Sequence, residues 1–133
     1  MRHLRHPRSL AFAVICAPAV TSVATSSRPK IARVWRGFVA TQNAEVYSQY
    51  LEEQGIQKLA SIPGNRGAEM WSRTNGDRVE FVVVSYWDSK DGIQNFTGPE
   101  WEKVKPLPDD PKYRVGPPAT VAHHEIVSGV AGR

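Results

Sequence analysis

Cysteine is almost absent from this chain. Its 133 residues contain a single cysteine, Cys16, which lies close to the N-terminus. The segment that begins at Ile31 therefore has no disulfide, no thiol nucleophile and no cysteine ligand for a metal. A fold formed by this segment does not depend on the redox compartment, and it must rely on a modest hydrophobic core.

Acidic residues are absent from the first 30 positions, the leader. The leader combines basic residues with an apolar run, Leu10–Val20, which is interrupted by Pro18. Small residues from Ser22 to Ala24 suit cleavage after Ala24, as in a secretory signal peptide, and the run is too short for a stable membrane span. There are two alternatives to a signal peptide. One is a mitochondrial transit peptide, which is also rich in arginine and poor in acidic residues, and the other is an extension upstream of a misassigned start codon. We expect export if residues 1–24 are a signal peptide, and a cytoplasmic protein if the true start lies near Ile31.

An excess of basic residues is missing from the rest of the chain. Lys and Arg total 17 and five of them precede Ile31, which leaves 12 basic against 13 acidic residues and a formal charge of −1. A body with this charge has no basic stripe to neutralise phosphates, so nucleic acid is excluded as the main partner. A phosphate loop is missing too, because neither Gly64 nor Gly67 is followed by Lys-Ser/Thr and a helix.

The first half of the body predicts one strand and one helix. Ile31–Val39 is rich in strand-forming residues, and Thr41–Asn43 offer side chains that cap a helix. Apolar residues then recur at helical spacing until Pro63-Gly64 ends the helix. The predicted apolar face of this helix consists of Val46, Tyr47, Tyr50, Leu51, Ile56 and Leu59.

The middle of the body predicts a hairpin. Ala68–Thr74 and Val79–Trp87 are strand-like, and Asn75-Gly76 between them favours a type I′ turn with positive φ at both residues. The second of these strands is apolar on both faces, which indicates that the sheet is covered on both sides.

The last part predicts a second helix and a final strand. Ser89 can cap the helix, and Gly98-Pro99 ends it before a short helix that runs through Val104. Thr120–Val127 is strand-like. An irregular loop is predicted between them because it contains Pro106, Pro108, Pro111, Pro117 and Pro118.

The predicted order β-α-β-β-α-β is the split βαβ, or ferredoxin-like, arrangement of an α+β domain. Its helices cover one face of a four-stranded antiparallel sheet. The other face is too apolar to remain wet, so we expect it to meet a second copy in a homodimer. The predicted division is a leader at 1–30, one domain at 31–128 and a flexible end at 129–133.

Five segments in this order resemble the antibiotic biosynthesis monooxygenase family. The resemblance spans about 97 residues, and it implies a ferredoxin-like fold that pairs into a dimeric α+β barrel. Some members of the family are cofactor-free oxygenases that act on polyphenolic or quinone-like substrates, and others degrade haem. The segments are Ile31–Gly37, Pro63–Gly67, Ser85–Ser89, Pro108–Asp110 and Val121–Val127.

The haem-degrading branch of this family does not match residue by residue. That branch uses an Asn on the first strand, a Trp nine residues after the strand-three Trp, and a His ligand ten residues later. Here the first strand has no Asn, and the other two positions hold Phe96 and Pro106. Proline cannot ligate iron, so the resemblance favours an enzyme without a cofactor.

Adjacent histidines stand on the predicted last strand. Because neighbouring strand residues point to opposite faces, His123 and His124 cannot bind one metal ion from the same side, and we expect no metal. His123 matches a recurrent histidine of the family, and an imidazole can accept a proton from a phenol or an activated methylene. The alternative is a hydrogen-bonded structural histidine.

Arg33 and Trp35 share one face of the first strand. An arginine can stabilise an enolate or phenolate oxygen, and a tryptophan can stack on a flat ring. Trp71 and Tyr86 are further candidates for binding a substrate, and Tyr86 would offer a buried hydroxyl to a bound phenol. For each of these residues the alternative is ordinary packing, and either face of the sheet can form the wall of a cavity. Asp109-Asp110 is interpreted either as a solvated acidic turn or as part of a lid.

The sequence therefore predicts a cofactor-independent monooxygenase-like enzyme that oxidises a small aromatic or quinone-type substrate with O₂. His123 and Arg33 are the candidate catalytic residues, and Trp35, Tyr86 and Trp71 the candidate substrate-binding residues. The alternative function is a non-catalytic dimeric module that binds a small hydrophobic ligand or a protein partner.

Overall fold

A computed structural model describes residues 28–132 of the chain. The leader therefore lies outside the described residues, together with the apolar run Leu10–Val20, Cys16 and the cleavage site after Ala24. The expectations about export and about the start of the chain stay predictions. Within residues 28–132, no helix is long and apolar enough to cross a membrane.

Four antiparallel strands form one sheet. They are β1 (Ile31–Ala40), β2 (Asn65–Asn75), β3 (Arg78–Trp87) and β4 (Gly116–Glu125), in the spatial order β2-β3-β1-β4. The first strand is central and the last strand is an edge, as the split βαβ arrangement requires. The predicted fold class is confirmed.

Helical segments connect the strands. A 3₁₀ turn at Thr41–Asn43 leads into α1 (Ala44–Leu51), a π-helical segment at Glu52–Ile56 and then α2 (Gln57–Ala60). After β3, α3 covers Lys90–Thr97. The predicted cap of α3 is confirmed, because the backbone N–H of Gly92 donates to Ser89 Oγ at 3.4 Å.

The core lies between these helices and one face of the sheet. Tyr47 and Leu51 of α1 and Leu59 of α2 are buried, and they pack in one cluster with buried residues of the sheet and α3. Those partners are Val39, Val79, Phe81, Val83, Trp87 and Ile93.

The prediction for Val46 is wrong, since its exposed fraction is 54%. Tyr47 and Leu51 stand four residues apart and set the buried face, and Val46 lies about 100° around the helix from Tyr47.

The hairpin turn is displaced by one residue from the prediction. Asn75 pairs with Arg78, so the two central residues of the turn are Gly76 and Asp77. Gly76 has a φ of 66°, and among the described non-glycine residues only Arg114 has a positive φ. Glycine with positive φ at the first central position is the pattern of a type II′ turn, so the predicted type I′ turn is wrong.

Two predictions near the C-terminus are also wrong. The segment from Pro99 to Val104 forms turns and no helix, and β4 begins at Gly116 instead of Thr120. Pro117 and Pro118 therefore lie inside a strand. Prolines are tolerated there because β4 is an edge strand, where a missing N–H does not leave a neighbouring strand unpaired.

The two faces of the sheet carry different residues. Arg33 and Trp35 of β1 face the helices, as does His123 of β4, which pairs with Arg33. The opposite face, which we call the outer face, carries Trp71 of β2 and Tyr86 of β3. Apolar residues thus occupy both faces, as the sequence predicts.

Candidate functional site

A cavity of about 50 Å³ lies between the sheet and the helices. Most of its wall is apolar, and it is formed by Trp35, Leu51, Gly55, Leu59, Val83, Phe96 and Leu107. Its polar lining consists of Arg33, Tyr47, Ser85, Lys105 and Asp110. An apolar cavity with a few polar groups is the usual form of a small-molecule site.

Arg33 brings a buried positive charge to this cavity. Its exposed fraction is 4%, and burial lowers its pKa to about 10. Its Nη1 donates to the carbonyl oxygen of Trp101 at 2.5 Å, and its Nη2 donates to the carbonyl oxygen of Lys103 at 3.0 Å. Within residues 28–132 no carboxylate forms an ion pair with Arg33.

His123 contacts Arg33 directly. The antiparallel register places the two residues opposite each other on β4 and β1, and Arg33 Nη1 lies 2.9 Å from His123 Nε2. A guanidinium can only donate, so Nε2 is the acceptor and the imidazole is neutral with its proton on Nδ1. Burial, the Arg33 charge and His124 lower the pKa of His123 to about 4. The ring also meets Trp101 edge-on, with centroids 4.6 Å apart.

His123 is not among the residues that line the cavity, and it reaches the cavity only through Arg33. The two candidate catalytic residues are therefore brought together, but only Arg33 borders the space a ligand would occupy. The nitrogen of His123 that would accept a proton already accepts a hydrogen bond from Arg33.

Trp35 forms one wall of the cavity by lying over a glycine. A Cβ added at Gly37 would come within 2.6 Å of Cζ2 of the Trp35 ring. Gly37 therefore leaves the space in which the indole rests, two residues along the same face of β1. The position of Trp35 agrees with the predicted role in binding a flat ring.

Asp110 is a buried carboxylate that also lines the cavity. Its Oδ1 accepts from the Tyr47 hydroxyl at 3.0 Å, and its Oδ2 accepts from the backbone N–H of Leu107 at 2.9 Å. Burial raises the pKa of Asp110, and it also raises the pKa of Tyr47. The interpretation as a solvated turn is wrong for Asp110, because this carboxylate holds the proline-rich loop against α1.

Lys105 and Phe96 complete the mouth of the cavity. Lys105 is exposed although it lines the cavity, so the cavity reaches the surface beside it. Its Nζ lies 4.5 Å from the centre of the Phe96 ring and donates to the carbonyl oxygen of Phe96. Arg33 Cζ lies 6.0 Å from the centre of the same ring. Sequence reasoning missed Lys105, because nothing in its local sequence distinguishes it from a surface lysine.

Trp71 and Tyr86 do not reach this cavity, because they stand on the outer face of the sheet. The exposed fraction of Trp71 is 50%. The Tyr86 hydroxyl donates to Glu69 Oε1 at 2.7 Å, and this hydrogen bond raises the pKa of Tyr86. The structure thus brings Trp35 together with Arg33 and separates both from Trp71 and Tyr86.

The cavity does not fit a haem group. Its lining, as far as the described residues provide it, contains no histidine that could ligate iron. The hydroxyl of Tyr47, the tyrosine that lines the cavity, donates a hydrogen bond to Asp110. Within residues 28–132 no three His, Cys, Asp or Glu side chains are grouped to hold a metal ion.

Comparisons with solved structures identify proteins of the same fold. One is a candidate antibiotic biosynthesis monooxygenase from Bacillus cereus, 16% identical with a TM-score of 0.55 over 79% of this chain and 98% of that chain. A second is the haem degrader MhuD from Mycobacterium tuberculosis with two haems bound, 17% identical with a TM-score of 0.54 over 76% and 99%. A third is the ActVA-Orf6 monooxygenase from Streptomyces coelicolor in complex with nanaomycin D, 14% identical with a TM-score of 0.52 over 80% and 95%.

These likenesses show the fold of the chain. Nearly the whole length of each neighbour is covered, so the shared fold is the complete domain. The chain thus has the fold of the antibiotic biosynthesis monooxygenase type, as its sequence resemblance predicts. No protein-family model and no curated protein matches the chain.

Proposed function

We propose that this chain is a cofactor-independent monooxygenase-like enzyme that oxidises a small aromatic or quinone-type substrate with O₂. The observation that carries the proposal is Arg33, a buried guanidinium that borders an apolar cavity and has no carboxylate partner among the described residues. Two structural neighbours are monooxygenases or candidate monooxygenases, which supports the same reaction class.

Arg33 stabilises the oxygen on which negative charge develops when the substrate loses a proton. A fixed positive charge in a largely apolar cavity has a larger effect on such an oxyanion than the same charge in bulk solvent. The guanidinium has five N–H donors, of which three are used by Trp101, Lys103 and His123. The two remaining donors are available to a substrate oxygen.

The reaction balances without a cofactor when the substrate is an aromatic ketone with an activated methylene, or its enol. The methylene loses a proton to water at the mouth of the cavity, and the resulting carbanion forms a bond with O₂ to give a peroxide. After the peroxide is protonated, the remaining C–H bond and the O–O bond break. A carbonyl group then forms on the former methylene carbon, and one water leaves. The methylene carbon supplies all four electrons that reduce O₂, of which one atom becomes the carbonyl oxygen and the other leaves as water.

His123 acts in this proposal as a positioning residue. Its neutral imidazole accepts from Arg33 and contacts Trp101 on the same side, which holds the guanidinium in one orientation. To act as the base, His123 would have to give up the hydrogen bond from Arg33 and accept the substrate proton on the same nitrogen. Its pKa of about 4 also makes it a weaker base than an ordinary histidine.

Trp35 and Phe96 orient the ring of the substrate in the proposal. Both line the cavity, and their flat side chains provide surfaces on which an aromatic ring packs. Small-molecule sites usually measure about 300–1,000 Å³. A substrate of two or three rings therefore requires the side chains around the mouth to move outward as it enters.

A non-catalytic binding module is the second candidate. The observation that favours it is that three of the guanidinium donors are already used within the protein, as in a structural arginine. Such a module would bind flat ligands without consuming O₂.

Oxygen uptake with anthrone- or hydroquinone-type compounds separates the two candidates. We expect uptake above the spontaneous rate with the wild-type chain, and a strongly reduced rate with Arg33→Gln. The matched control is Arg36→Gln, since Arg36 lies on the outer face of the same strand. Saturable binding without oxygen uptake would favour the binding module.

A further inference from the structure

The charges around the cavity do not cancel. The lining contains two cations, Arg33 and Lys105, and one acid, Asp110. Both carboxylate oxygens of Asp110 accept hydrogen bonds from within the protein, one from Tyr47 and one from Leu107. Among the described residues Asp110 forms no ion pair with either cation.

The two cations approach the same ring. Lys105 Nζ lies 4.5 Å and Arg33 Cζ 6.0 Å from the centre of Phe96, so both charges stand beside one aromatic side chain at the cavity. A buried charge without a counter-ion is unfavourable, and a second cation near it adds repulsion. An anion placed between them would relieve both effects.

Lys105 is able to hold such an anion without losing its present contact. Its ammonium has three N–H donors, and the carbonyl oxygen of Phe96 takes one of them. That carbonyl belongs to the last turn of α3, where the helix dipole favours a cation. The side chain is thus anchored at the mouth with two donors to spare.

We infer that the cavity selects planar aromatic ligands that carry an anionic group, and that Lys105 and Arg33 together bind this group. The inference names the substrate class of the proposed function, and it assigns Lys105 as the residue that determines the preference for an acid. The ring packs on Trp35, and the anionic group lies beside Phe96, against which both cations stand.

Matched pairs of probes test the inference by calorimetry at neutral pH. 2-Naphthoate and 2-naphthamide have nearly the same shape, and only the first is charged; benzoate and benzamide repeat the comparison with one ring. For the wild-type chain we expect the charged member of at least one pair to bind about tenfold tighter, because hydrogen bonds to charged groups are stronger than neutral ones.

Two lysine variants locate the effect. Lys105→Gln is expected to weaken binding of the charged probe by roughly fivefold to tenfold and binding of the amide by less than twofold. Lys112→Gln is the control, since it removes the same charge from an exposed lysine that does not line the cavity. It is expected to leave both affinities unchanged. Because Lys105 is exposed, the loss of its contact with the end of α3 should lower the melting temperature only slightly.

The inference is overturned by equal binding of acid and amide, by a preference for the acid that survives Lys105→Gln, or by the absence of binding of all four probes at millimolar concentration. Measurement of oxygen uptake distinguishes failure of this inference from failure of the proposed function. Turnover of neutral substrates without any preference for acids would leave the oxygenase and remove the inference. Selective binding of acids without oxygen uptake would leave the inference and remove the oxygenase.

Discussion

At the scale of single residues, the burial of Arg33 is the costliest feature of the site. Desolvation of a cation costs several kcal/mol in a protein interior, and the two carbonyl oxygens and His123 offset part of this cost. The guanidinium is held by groups that are themselves fixed by the sheet and by the turn at Trp101. Such a preorganised donor needs no reorganisation when charge develops on a substrate, which is the property that favours catalysis.

Replacement of His123 tests whether it positions Arg33 or acts as a base. Glutamine carries a carbonyl oxygen that can accept from Arg33, but it cannot take a proton from a substrate. We expect His123→Gln to keep turnover of an active aromatic substrate within about tenfold of wild type. His123→Ala should lower it by roughly 10²-fold, because a misplaced catalytic group has that effect. Equal and large losses in both variants, measured as kcat, would assign His123 as the base.

The pH dependence of stability gives a second test of His123. Its pKa is lowered from 6.5 to about 4 in the folded chain, so the unfolded chain binds more protons between these values. The stability contributed by the neutral imidazole is therefore complete above pH 6.5, and it is lost as the pH falls toward 4. Denaturant midpoints at pH 7 and pH 4.5 should differ more for wild type than for His123→Gln. The exposed neighbour supplies the control: His124→Gln removes only the smallest of the three causes that lower the pKa of His123, so it should keep most of the wild-type difference. An identical loss in all three proteins would contradict the lowered pKa.

The sequence predicts part of the site at this scale. Alternation along β1 places Arg33 and Trp35 on one face, but only the register of β4, which the structure supplies, adds His123 to that face. Lys105 and Asp110 cannot be found in this way, because they lie in a loop without periodicity. Their positions depend on contacts with α1 and α3 that are distant in sequence.

At the scale of elements, the helix that covers the cavity is not regular. The π-helical segment Glu52–Ile56 separates α1 from α2, and its Gly55 lines the cavity. π-Helical turns occur frequently at functional sites. A Cβ at Gly55 would lie 3.2 Å from Leu51 Cδ1, so the glycine leaves room for the Leu51 side chain, which also lines the cavity.

The turn before β2 packs directly on the start of α3 through two glycines. A Cβ at Gly64 would lie 2.8 Å from Cα of Gly92, and Gly64 has a φ of 90°. We expect Gly64→Ala to lower the free energy of unfolding by about 2–4 kcal/mol, since strain and a backbone clash act together. Gly98→Ala is the control, because Gly98 also has a positive φ but has no atom within 4 Å of the added Cβ. Its loss should be smaller, because only backbone strain of about 1–3 kcal/mol acts at this position. Urea denaturation measures both values, and equal losses would contradict the packing.

The elements show where sequence patterns suffice and where they do not. The strands are predicted by the sequence because β-branched and aromatic residues favour extended structure in most packing arrangements. The turn type was wrong because the pairing of Asn75 with Arg78 is set by the register of the whole hairpin. The predicted helix from Pro99 is absent since this segment instead provides carbonyl oxygens of Trp101 and Lys103 to Arg33.

At the scale of the whole molecule, the outer face of the sheet remains to be covered. It carries the half-exposed Trp71 beside Val82, its partner on β3, and a second copy of the chain is the occupant that we predict. Light scattering at micromolar concentration should give twice the chain mass of 14.8 kDa. Trp71→Arg should shift the equilibrium toward the monomer, whereas Val46→Arg, which changes an exposed residue of α1, should not. A clean monomer in the wild-type protein would contradict the predicted barrel.

The most direct measurement of the central claim is the transfer of labelled oxygen from ¹⁸O₂ to an anthrone-type substrate. We predict that the product gains one labelled atom at the former methylene carbon, at a rate above the spontaneous reaction. The rate should fall by roughly 10²–10³-fold in Arg33→Gln, as expected when a donor to an oxyanion is removed. A product that forms no faster than without protein, or a rate that is unchanged in the folded Arg33→Gln variant, would contradict the assignment of this cavity as an oxygenase site.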